Sequence, residues 1–195
     1  CASGLYAVEV AVNAMRSGQC SKMIVSAVDH ISIFKQIWFN EVNMCASDGR
    51  IKPFAKDRDG FILGDGGVAV ILEFYEDAKK RGVPIYGEYL GGGFVLEGWK
   101  VTLPDVASYS YKKALSKAIK NSAIKASDVD LVVAHGVGTS ITDAYEAATI
   151  ETIFKEVKKK PIVTALKPYI GHTLGGTALL ELAITLLAAK ENFIP

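Results

Sequence analysis

Apolar residues fall along this chain in two rhythms, and each rhythm predicts a different element. From Leu174 onward, Leu174, Ala178, Leu179, Leu180, Leu182, Ala183, Leu186 and Leu187 lie at helical spacing on nearly every side, which predicts a helix buried within a domain. The run LYAVEVAVNAMRSG predicts a second such helix, closed by Gly18. Short apolar runs predict buried strands at 22–28, 130–134 and 161–165 and further strands at 68–73 and 85–90. A charged stretch at 75–81 predicts a short helix stopped by Gly82 and Pro84, and 104–121 a long amphipathic helix begun by Pro104. Between residues 29 and 59 both rhythms fade. That segment holds Trp38, Phe39, Met44 and Cys45, so it is expected to be a packed excursion lining a pocket rather than a free loop. Strand, helix, strand, helix, strand across 85–165 predicts an α/β fold with a parallel-rich sheet covered by helices on both faces. The stop at Gly82 and Pro84 separates two expected halves, 1–83 and 84–195.

Composition narrows the functional classes. The 195 residues are 50% hydrophobic and 22% charged, with a net charge of +1, as in ordinary globular chains. The net charge is near zero and no cluster of lysines and arginines is interleaved with aromatics, so no nucleic-acid partner is expected. No unbroken apolar run reaches membrane-spanning length, and no membrane partner is expected. Three cysteines without metal-ligand spacing point to a reducing compartment, the cytoplasm by default, and to no bound metal. The chain opens inside an apolar helix and is therefore expected to be an excerpt of a longer folded protein.

Candidate chemistry gathers where predicted elements meet. Cys1 stands at the head of a buried helix, where free N–H groups and the helix dipole favour a thiolate. His135 follows the strand at 130–134, the carboxyl end at which open α/β sheets build their sites, and Asp143 and Glu146 lie on the first turns of the next helix. His172 lies between a strand and a helix, with Lys167 five residues before it and Gly171, Gly175 and Gly176 around it. Those glycines also suit tight helix packing, and His172 also suits a hydrogen-bonded core position. His30 and Cys45 read as structural. Asp57, Arg58 and Asp59 lack the distal bidentate acid of a calcium loop and read as an internal network bracing a turn. A cysteine with a histidine suggests acyl transfer through a thioester, and a second histidine with a lysine suggests more than hydrolysis.

The segments CASG at Cys1, DRDGFILGDGG from Asp57, EDAKKRGVPIYGEYLGGG from Glu76, AHGVGTSITDAYEAATI from Ala134 and LKPYIGHTLGGTALLE from Leu166 resemble, in order and spacing, the elongating β-ketoacyl-[acyl-carrier-protein] synthases. The resemblance implies a partial thiolase-like αβαβα layered sandwich, normally a homodimer, acting with an acyl carrier protein and without a cofactor. It implies that Cys1 takes the acyl chain, that His135 and His172 support malonyl decarboxylation and stabilise the developing oxyanion, and that Lys167 and Glu146 form a charged pair ordering the site. Asp143 stands as a further supporting residue. Thr139 matches a threonine that helps hold the pantetheine arm. Val137 stands where the family usually has another threonine, so one arm-binding hydroxyl is lost there.

Three alternatives share parts of this pattern. A thiolase would condense CoA thioesters without decarboxylation, but His172 within GHTLGG together with Lys167 resembles the synthases more. Initiating synthases have Asn where His172 stands. A non-catalytic partner subunit that only shapes a chain-length tunnel typically lacks the cysteine.

Overall fold

The computed structural model describes residues 1–100, 104 and 109–195. Its elements are α1 (Ser3–Arg16), β1 (Lys22–Asp29), α2 (Ile33–Glu41), β2 (Gly66–Glu73), α3 (Tyr75–Arg81), α4 (Ser110–Asn121), β3 (Leu131–Val133), α5 (Ser140–Phe154), β4 (Ile162–Thr164), α6 (Lys167–Ile170) and α7 (Thr177–Lys190). Single 3-10 turns occupy Ala126–Asp128 and Leu174–Gly176. The chain divides into two compact units: residues 1–32, 63–89 and 172–195 form one, and 33–62 and 90–171 the other.

In the first unit β1 and β2 pair antiparallel, from Lys22 opposite Glu73 to Asp29 opposite Gly66. Glu73 fixes the end of this ladder, binding Lys22 at 3.1 Å and Arg81 at 2.8 Å. These cations hold its carboxyl below the usual carboxylate range. The core packs Val8, Ala11 and Val12 of α1 against Val25 of β1 and Leu179 of α7. Gly4 permits this approach, since a Cβ there would lie 2.8 Å from Leu179 Cβ.

Strand β1 is not fully buried as its sequence predicts. Its side chains alternate, and Ile24 and its ladder partner Ile71 are each 68% exposed. The helices α1 and α7 cover one face of the ladder, and apolar content alone does not distinguish one covered face from two. Helix α3 begins and ends where expected, at a Gly82 in the left-handed region (φ 66°). Residues 85–90 run as irregular chain rather than a strand, because neither ladder among the described residues includes them. His30 is not a core group; it lies on the surface 3.3 Å from Asp65.

In the second unit β3 and β4 pair parallel, Leu131 opposite Ile162 and Val133 opposite Thr164, with α5 as the crossover. Strand β4 is more exposed than predicted, with Ile162 and Val163 both open to solvent. Helix α2 was not foreseen; it occupies part of the 29–59 segment, where no long period marks it. Helix α4 starts at Ser110, while Pro104 lies outside regular structure and residues 105–108 of the predicted helix fall outside the described residues. Asn121, closing α4, donates to the Gly92 carbonyl at 2.8 Å and ties the glycine run to this helix.

Leu179 is fully buried at the convergence of α1, β1 and α7. Truncation by Leu179→Ala leaves a cavity that rigid neighbours cannot fill, so urea unfolding of the full-length protein should lose about 2–5 kcal/mol. A loss below about 1 kcal/mol would show that this core collapses around the missing side chain.

Candidate active site

Two constellations form, one in each unit. In the first, Cys1 precedes Ala2, the residue capping α1, whose carbonyl accepts the N–H groups of Leu5 and Tyr6. Cys1 Sγ lies 3.1 Å from His172 Nε2. His172 is 2% exposed, and its backbone carbonyl accepts the Gly64 N–H at 3.1 Å in a bridge with Leu63. The other ring nitrogen, Nδ1, lies 2.9 Å from Thr177 Oγ1, which is itself 3.1 Å from Thr173 Oγ1. The ring is thus held between a thiol and a hydroxyl.

In the second unit, the chain leaves β3 as Ala134-His135-Gly136-Val137-Gly138 and turns into α5. The Ala134 N–H continues the ladder to the Thr164 carbonyl at 2.8 Å, and the next four N–H groups have no strand partner. Two carboxylates of α5 take them. Glu146 accepts from His135 at 2.6 Å and from Gly136 at 2.9 Å. Asp143 accepts from Val137 and Gly138, both at 3.1 Å, and from Phe54 at 2.8 Å. Gly138 must be glycine, because its φ is +85° and a Cβ would meet the Gly60 carbonyl oxygen at 2.4 Å. Lys167, fully buried at the start of α6, donates to the His135 carbonyl. Glu146 and Lys167 therefore grip the N–H and the C=O of the same residue.

Arg58 braces the loop more fully than its sequence neighbours suggest. It donates to the carbonyls of Ala55, Thr139 and Ser140 and lies 3.9 Å from Asp143. Asp57 and Asp59 do not complete its network. They pair instead with Lys52 and Ser47. Val137 is buried, and Thr139 Oγ1 is a buried hydroxyl without a hydrogen-bond partner among the described residues.

The description "Beta-ketoacyl synthase, N-terminal domain" matches residues 1–78, and "Beta-ketoacyl synthase, C-terminal domain" matches residues 86–195. The chain belongs to the β-ketoacyl synthase family. Within that family, the 3-oxoacyl-[acyl-carrier-protein] synthase 2 of Coxiella burnetii is 35% identical over 144 residues, covering 74% of this chain and 35% of that protein. A β-ketoacyl synthase crystal structure from Burkholderia phymatum matches with a TM-score of 0.90 at 29% identity, over 98% of this chain and 47% of that one. A type II PKS acyl-carrier protein in complex with its ketosynthase, bound to the hexaketide, matches with a TM-score of 0.90 at 28% identity, over 96% of this chain and 48% of that one. The fold is the thiolase-like α/β fold of ketosynthases. The chain spans about a third to a half of the length of the curated relatives it matches.

Of the residues singled out from sequence, the structure joins Cys1 to His172 in the first unit and Glu146 and Lys167 to the His135 backbone in the second, with Asp143 on the following amides of Val137 and Gly138. Thr173 and Thr177 were missed. A threonine opening a helix ordinarily reads as capping chemistry, but Thr177 makes no cap bond and turns to His172.

Burial pushes the Glu146 carboxyl above its ordinary value of 4.5, against the opposing N–H groups of Gly136 and His135 and the charge of Lys167. A raised folded value favours the protonated folded state. Its stabilisation is present in full below pH 4.5 and lost as pH rises through the higher folded value. The stability of Glu146→Gln relative to the unaltered protein should accordingly rise with pH above 4.5 and then level. Denaturant melts at closely spaced pH values read this directly, and a relative stability that fell across that window would reverse the sign of the Glu146 shift.

Proposed function

We propose that this chain carries the reacting groups of a decarboxylative Claisen condensation, joining an acyl group on Cys1 to a malonyl unit on an acyl carrier protein in fatty-acid or polyketide elongation. The observation that carries this reading is Cys1 Sγ at 3.1 Å from the buried His172 Nε2, at the head of α1. The Cys1 thiolate attacks the acyl thioester carbonyl and expels the carrier thiol, leaving an acyl-cysteine. Loss of CO₂ from the malonyl thioester generates an enolate. As the family resemblance implies, neutral imidazole N–H groups of His172 and of His135 support this step by donating to developing negative charge. The enolate carbon attacks the acyl-cysteine carbonyl, and collapse of the adduct releases Cys1 thiolate and the β-ketoacyl thioester.

The remaining roles follow from position. Lys167 and Glu146 order the backbone of His135, and Asp143 orders Val137 and Gly138. Thr139 offers its hydroxyl to the carrier arm, while Val137 supplies an apolar wall where a second hydroxyl would stand. The halves 1–83 and 84–195 are supported by the spans of the two family descriptions, which end at 78 and resume at 86. A homodimer, as in the family resembled, and a cytoplasmic setting complete the proposal; three cysteines without metal-ligand spacing support a reducing compartment. No helix among the described residues is long and apolar enough to cross a membrane.

Limiting iodoacetamide at neutral pH should alkylate Cys1 of the full-length protein first, because burial raises the Cys45 thiol above its ordinary value. Peptide mapping that found Cys45 or Cys20 modified faster would remove Cys1 from its role. His172→Ala should still accept an acyl group on Cys1 yet release CO₂ from malonyl carrier protein on the order of 10²-fold more slowly. Undiminished CO₂ release would assign decarboxylation elsewhere.

A further inference from the structure

The hydroxyl pair behind His172 settles a question the ring alone leaves open, namely which nitrogen bears the proton. Thr173 and Thr177 are each 1% exposed, and His172 is nearly as buried. Thr177 Oγ1 has two neighbours in hydrogen-bond range, His172 Nδ1 at 2.9 Å and Thr173 Oγ1 at 3.1 Å. Thr173 Oγ1 has one among the described residues, Thr177 Oγ1.

Only two directions of donation fit this chain. If Nδ1 carries a hydrogen, it donates to Thr177, Thr177 donates to Thr173, and the Thr173 hydroxyl hydrogen is left buried with no acceptor among the described residues. If Nδ1 is bare, Thr173 donates to Thr177, Thr177 donates to Nδ1, and every hydrogen is used. Buried donors are satisfied as a rule, so the second direction holds. The same count disfavours an imidazolium, which would also carry a hydrogen on Nδ1.

We propose that Thr177, backed by Thr173, is a positioning residue that fixes His172 as the neutral Nε2–H tautomer, so that the ring presents its hydrogen to the Cys1 sulfur. This deepens the reading of Cys1 and His172 as a reacting pair and rests on it. During acylation, Nε2–H donates to the Cys1 thiolate. During decarboxylation, the same hydrogen is available to the thioester oxygen without a tautomer change. The wrong tautomer would present a lone pair to a developing negative charge, a fault that leaves geometry intact and cripples catalysis.

The test uses the full-length protein with ¹⁵N-labelled histidine. Long-range proton–nitrogen spectra should show His172 with a protonated Nε2 and a bare Nδ1. Thr177→Val, nearly isosteric, should admit the Nδ1–H form and slow CO₂ release from malonyl carrier protein on the order of 10-fold or more. Thr177→Ser should restore both the spectrum and the rate, which a purely structural role would not require. Should Thr177→Val not fold, Thr177→Ala provides the same readout, since it too removes the hydroxyl that donates to Nδ1. A protonated Nδ1 in the unaltered protein, or a Thr177→Val protein with unchanged tautomer and CO₂ release, would overturn the proposal. Failure of Cys1 to accept an acyl group in the unaltered protein would instead overturn the function on which the proposal rests.

Discussion

Four successive backbone amides, from His135 to Gly138, leave the end of a parallel strand with no ladder partner, and the second unit is arranged around satisfying them. A buried amide without an acceptor is costly, so the chain cannot enter α5 by this route unless acceptors wait for it. Glu146 and Asp143, three residues apart on one face of α5, supply them. The same need explains Gly138, whose left-handed backbone keeps its N–H aimed at Asp143 while passing close to Gly60. It also fixes where Phe54 must be, since its N–H shares Asp143.

Two buried carboxylates create a second constraint, because desolvation opposes their charge. Cations answer each in turn. Arg58 lies near Asp143 while holding three carbonyls of the surrounding loops. Lys167 lies close enough to lower Glu146's proton affinity, although burial dominates and the carboxyl remains shifted upward. Because Lys167 also takes the His135 carbonyl, the histidine backbone is clamped by opposite charges at its two ends. Backbone fixed in this way sets the direction in which the His135 side chain leaves the chain.

The first unit reaches a similar rigidity with neutral groups. His172 is held through its carbonyl by Gly64 and through its ring by Thr177, with Cys1 on the far nitrogen. Close approach of α1 and α7 at Gly4 and Leu179 brings the two helix starts near one another, and the Ser3 hydroxyl adds a bond to the Gly175 carbonyl. Packing of apolar side chains thereby helps set the distance between Cys1 and His172.

Short-range chemistry was legible without coordinates. The period of α1, the charged helix ending at Gly82, and the clusters around Cys1, His135 and His172 depend on residues a few positions apart, and sequence displays these directly. Asp143 and Glu146 were also visible, because a helical spacing places both at the start of α5. What tertiary structure alone decided involves partners far along the chain. The ladder of β1 pairs residues about 40 to 50 positions away, and which of its faces is covered depends on α1 and α7, so Ile24 and Ile71 could not be read as exposed. The irregular course of 85–90 has the same origin, since a strand exists only where a neighbour completes its hydrogen bonds. Helix α2 buries no side chain deeply, so no apolar stripe announced it. Thr177 was not singled out from sequence; only the folded chain shows its hydroxyl beside the ring of His172, because hydrogen-bond partners are set by what lies within about 3 Å in space.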